Sequence, residues 1–137
     1  MKKLLATGMI ALGLTSGYAH AKTYICKVKP DAHDLGWISK TIVVNVDDKT
    51  DEIFVNDILI QDAYDKPIPA KVVVNSDKRL TIKWEVKGLK NDSHQTIPRW
   101  IYRLTILKAR GNKAIVNAQA AGYYGALGAS GKCRVSK

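Results

Sequence analysis

The chain has 137 residues, a hydrophobic content of 46% and a formal net charge of +10. That length and apolar content describe one domain with a core of its own, and exclude both a disordered polar chain and a multidomain enzyme. The charge points to an acidic or amphipathic partner: anionic headgroups, an acidic polymer or a negatively charged protein.

The first segment reads as an export signal. Lys2 and Lys3 precede an apolar run, 4–14, and Ala19-His20-Ala21 forms a small-x-small cleavage site. The run is shorter than the ~20 residues of a membrane-spanning helix. The expectation is therefore a signal peptide, 1–21, and a single mature domain, 22–137. That domain would be periplasmic or secreted, without a transmembrane segment after cleavage. Nucleic acid is not an expected partner in that compartment.

Downstream, short segments of alternating apolar and polar residues are separated by turn residues, which is the strand signature. Strands are predicted over 23–29, 38–46, 52–60, 70–74, 80–87, 100–107, 114–120 and 131–135. The clearest row is Leu80, Ile82, Trp84 and Val86, opposed by Thr81, Lys83, Glu85 and Lys87. Trp100, Tyr102, Leu104 and Ile106 form a second row, and Ala114, Val116, Ala118 and Ala120 a third. The segments 61–69, 88–98 and 121–131 read as loops, and no helix is predicted.

Cys26 and Cys133 stand near the two ends of the mature chain. Two cysteines in an exported chain predict one disulfide. The bridge would bring the first strand to the last. An up-and-down meander whose ends meet is a closed antiparallel barrel, so the expected fold is an all-β, eight-stranded, lipocalin-like (calycin-like) barrel. A two-sheet β-sandwich is the alternative.

Charge is uneven along the chain. From Thr81 onward eleven basic residues face only two acidic ones, Glu85 and Asp92. No catalytic residue, metal ligand or cofactor is predicted. His33 and His94 are isolated in loops, and the acidic run 47–52 lacks the glycine and spaced acceptors of a calcium loop. Trp37, Trp84, Trp100, Tyr24 and Tyr102 stand beside a row of alanines, which lets bulky side chains fill a tapered interior. The segment 121–131 is the candidate recognition loop. It places Tyr123 and Tyr124 among glycines and alanines, with Ser130, Lys132 and Arg134 beside it.

Several motifs carry a resemblance. Tyr24-x-Cys26, Gly36-Trp37-Ile38, Trp84, Tyr102-Arg103-Leu104-Thr105-Ile106, Gly122-Tyr123 and Gly131-x-Cys133-Arg134 resemble small secreted proteins of alphaproteobacteria. That resemblance implies export and a disulfide, not an activity. Ala129-Ser130-Gly131-Lys132 is also similar to the inhibitory loop of periplasmic inhibitors of C-type lysozyme, although here it abuts the last cysteine. The sequence therefore leads to an exported, envelope-associated, non-enzymatic binding protein. A proteinaceous inhibitor of an envelope-attacking hydrolase such as lysozyme is the alternative.

Overall fold

The computed structural model describes residues 21–34, 36–91 and 93–136. The expected signal peptide lies outside them, apart from its last residue, Ala21. The elements are β1 (Ala21–Pro30), β2 (Thr41–Asp47), β3 (Ile53–Asn56), α1 (Ile58–Tyr64), β4 (Ile68–Asn75), β5 (Arg79–Lys90), β6 (Thr96–Leu107), a 3-10 turn (Lys108–Arg110), β7 (Lys113–Ala120) and β8 (Leu127–Ser136). Every strand pairs antiparallel with the next, and β8 pairs with β1, so the sheet is a closed eight-stranded barrel. Closure decides against the sandwich.

The bridge between the cysteines is present. Cys26 and Cys133 are in-register partners on β1 and β8, with Cα atoms 3.8 Å apart. Tying positions 107 residues apart restricts the unfolded chain and contributes about 4–5 kcal/mol in the chain-entropy model. A disulfide of this kind fits an oxidising compartment.

The interior stacks large residues between β5 and β6 and sets those of β6 opposite small ones on β7. Trp84 lies opposite Tyr102, and Tyr102 opposite Ala118. The Trp84 and Tyr102 rings stack with centroids 5.5 Å apart. Trp100 is likewise flanked by Val86 and Ala120. The three predicted apolar rows on β5, β6 and β7 are all buried.

Several segments differ from the sequence reading, including the expected loop 61–69, which holds the end of a helix and the start of β4. The stretch 52–60 is not one strand: β3 stops at Asn56 and a helix follows. Asp57 is the reason. Its backbone is extended and its carboxylate accepts the Ile60 N–H at 2.8 Å, capping the helix N-terminus. The helix then lays Ile60 into the core and accepts the Lys87 N–H on the Tyr64 hydroxyl at 2.9 Å. Another difference concerns 121–131, of which only the first part is loop. β8 begins at Leu127, so Ser130 and Lys132 lie on a strand paired on both sides. Strands β5 and β6 also extend further into 88–98 than expected.

Gly131 sits where β8 lies against β1 with no room for a side chain. A Cβ there would run into the Lys27 carbonyl oxygen and stand 2.7 Å from the Val28 Cα. Neither neighbour is a movable side chain, so the strand itself would have to shift. Gly128 on the same strand has only ordinary contacts, at 3.9 Å. Gly131→Ala is therefore expected to cost about 3 kcal/mol, whereas Gly128→Ala stays within about 1 kcal/mol. Urea unfolding of the two disulfide-bonded variants checks the difference, and equal midpoints would contradict the tight crossing.

Candidate binding site

The up-and-down order places the connections β1–β2, β3–β4, β5–β6 and β7–β8 at one end of the barrel, which we call the mouth. The start of β1, the end of β8 and the shorter turns lie at the other. Helix α1 covers part of the mouth. Beside it opens a cleft of about 700 Å³ lined by Trp37, Trp100, Ile97, Gln95, Tyr123 and Leu127, among others. Its walls thus come from three connections and the strand ends they join.

Trp37 is the best-anchored of these groups that lie outside the strands. Its N–H donates to the Asp34 carbonyl at 3.2 Å, and its own carbonyl accepts the Tyr102 hydroxyl at 2.8 Å. Its ring stacks on Trp100, with centroids 4.9 Å apart and planes 24° from parallel. Trp100 in turn leans on Tyr102 at 6.3 Å. An aromatic column therefore runs from the core, through Trp84 and Tyr102, out to the cleft. Asp34 adds a tie across the mouth, its carboxylate accepting the Gly128 N–H at 3.2 Å.

The opposite wall is built differently. Gly122 and Gly125 both have positive φ, 86° and 95°, a conformation that glycine adopts without strain. Between them Tyr123 and Tyr124 project outward, 64% and 106% exposed. The Gln119 side-chain amide holds the loop by donating to the Tyr123 carbonyl at 3.3 Å. The third wall is the β5–β6 turn. There the Asn91 side-chain oxygen accepts the Ser93 and Gln95 N–H groups, and its amide donates to the Gln95 side-chain oxygen at 3.0 Å.

A buried polar pair, Asp57 and Ser39, lies near Tyr102, whose hydroxyl holds Trp37. Asp57 is 7% exposed and Ser39 5%. Burial raises the Asp57 carboxyl above the usual carboxylate range, although the Ile60 N–H, the Ser39 hydroxyl and the Leu59 N–H pull in the opposite direction. The Ser39 hydroxyl favours the charged form without reaching hydrogen-bonding geometry. Tyr102 is also raised, first by burial and then by the nearby Asp57 charge. Its phenol therefore stays protonated and keeps donating to Trp37.

The residues singled out from sequence fall into two places. Tyr123 and Tyr124 line the cleft. Lys132 and Arg134 lie instead on the outer wall, in a shallow hollow with Ile25, Lys27 and Cys133, and Ser130 is exposed on the same strand. The structure does not bring these two groups together. His33 and His94 are exposed at the mouth. Among the described residues no group of three or more His, Cys, Asp or Glu side chains is placed to hold a metal ion. No described helix is long and apolar enough to cross a membrane. No family model, curated protein or solved structure matches the chain.

The Asp57 environment has a measurable consequence. The folded carboxyl holds its proton more tightly than the unfolded one. Its effect on stability is therefore most favourable below the unfolded value, and is lost as pH rises through the folded value. Asn caps a helix as well as Asp does and carries no charge. Asp57→Asn is expected to gain on the wild type between pH 4 and pH 8 in thermal melts. A variant that instead loses ground as pH rises would show that the charged cap is the favoured form.

Proposed function

We propose that the protein is exported and acts in the periplasm or outside the cell as a non-enzymatic binding protein, holding an amphipathic ligand in the mouth cleft. The export features of 1–21 and the Cys26–Cys133 bridge support the compartment. The observation that carries the binding reading is the convergence of Trp37, Trp100, Tyr123 and Tyr124 on one open cleft. Exposed tyrosine costs little conformational entropy to immobilise and offers both an apolar face and a hydroxyl. Asn91, Gln95 and Thr96 supply amide and hydroxyl groups at the rim.

This lining suits a ligand with flat apolar faces edged by hydroxyls or amides, the chemistry of an N-acetylated sugar ring. The hydrolase-inhibitor alternative draws less support, because Ser130 and Lys132 lie on a doubly paired strand rather than on a projecting loop.

Tryptophan fluorescence reports on this site, since two of the three tryptophans line it. Titration with the N-acetylglucosamine tetramer is expected to give a saturable change. The Tyr123→Ala/Tyr124→Ala double variant should bind about tenfold more weakly, from ~0.5–1.5 kcal/mol per aromatic contact, with an unchanged melting temperature. No saturable change with either the tetramer or a muropeptide digest would overturn the sugar assignment. Full binding by the double variant would move the site elsewhere.

A further inference from the structure

The charge of this molecule is sorted by location. The sequences of β1, β5, β6, β7 and β8 contain one acidic residue, Glu85. The other described acidic residues lie in the connections at the barrel ends, in α1, or at the end of β2. The outward positions of the same five strands carry exposed lysines and arginines. The outer wall of these five strands is thus cationic, and the described acidic groups other than Glu85 gather toward the barrel ends.

Within the wall the cations fall into register. Lys132 on β8 is the direct partner of Lys27 on β1 and of Lys113 on β7. Lys83 on β5 is the direct partner of Lys71 on β4 and of Arg103 on β6. Neighbouring strands lie ~4.8 Å apart, and like charges directly opposite one another destabilise a sheet. Two rows of three cations therefore cost the fold stability that an alternating pattern would not. All six side chains are exposed. The single ion pair recorded among the described residues, Arg99 with Glu85 at 3.8 Å, touches neither row.

We infer that the β7–β8–β1 wall, centred on Lys27, Lys113 and Lys132, is a docking surface for the phosphate headgroups of an anionic lipid membrane. Charge complementarity identifies the partner as polyanionic. The arrangement selects a surface over a thread, because exposed Lys29 on β1 and Arg134 on β8 widen the Lys27–Lys132–Lys113 row along the strands, whereas a linear polyanion is tracked along one channel. The residue type agrees. The row consists of lysines, which act as rotatable point charges, not of arginine forks suited to planar bidentate recognition.

The protein would lie on the membrane and not span it. A spanning barrel faces lipid with an apolar band, whereas this wall presents ammonium groups. The inference is independent of the sugar assignment, since none of Lys27, Lys113 and Lys132 lines the cleft.

Sedimentation with vesicles of 30% phosphatidylglycerol in phosphatidylcholine tests it. Binding of the disulfide-bonded protein is expected at 50 mM salt, with loss at 500 mM salt and on pure phosphatidylcholine. The triple variant Lys27→Gln/Lys113→Gln/Lys132→Gln should bind about a hundredfold more weakly, from about 1 kcal/mol per lysine near an anionic surface. Lys49→Gln/Lys66→Gln/Lys78→Gln removes the same charge from the barrel ends and should retain most of the binding. Equal loss in both variants would reduce the effect to net charge and overturn the assigned wall. Equal binding to both vesicle types would overturn the inference. Binding to soluble polyglutamate at matched charge, with none to vesicles, would give the wall to an acidic polymer and overturn the membrane assignment.

Discussion

The architecture depends on the meeting of β1 and β8. A meander of eight strands leaves two unpaired edges unless its ends find each other, and an open edge is a site for wrong pairing. Here the ends are joined three times over: by a ladder from Thr23–Ser136 to Pro30–Ala129, by the Cys26–Cys133 bridge within it, and by the absence of a side chain at Gly131. Each supports the others. The bridge keeps the edges close in the unfolded chain, and the glycine lets them approach as strands.

Closure in turn sets the character of the mouth. Because the wall is continuous, its interior can be filled by large residues facing small ones, and the aromatic column from Trp84 to Trp37 rests on that filled core. One side of the cleft is therefore rigid, held by the Tyr102 hydroxyl on the Trp37 carbonyl. The other side is a glycine-flanked pair of tyrosines on an adaptable loop. In the proposed binding reading, this platform and the tyrosine pair would hold a ligand from two sides without disturbing the barrel. Apart from Glu85, the described acidic groups are kept toward the barrel ends, so the outer wall carries the opposite charge.

The apolar rows were legible because β5, β6 and β7 alternate cleanly, with one wet and one dry face. The disulfide and closure followed from two cysteines at opposite ends. What was lost was lost for identifiable reasons. Ile58, Leu59 and Ile60 continue the β-branched run of β3, and their hydrophobicity alone does not separate strand from helix. The cap Asp57 was the available sign. β8 was half hidden because after Leu127 it runs Gly, Ala, Ser and Gly, residues too small to show an apolar row. The cleft could be seen only at Tyr123 and Tyr124. Its other walls stand at Trp37, near Gln95 and at Trp100, and topology alone brings those positions together.

The most direct test of the closure account is amide hydrogen exchange on the disulfide-bonded protein at neutral pH. If β1 and β8 are paired along their length, their amides are as protected as those of β5 and β6 and exchange only through global opening. Exchange of β1 and β8 at the rate of the β7–β8 loop, with β5 and β6 still protected, would contradict a closed barrel and show an open sheet held by its disulfide alone.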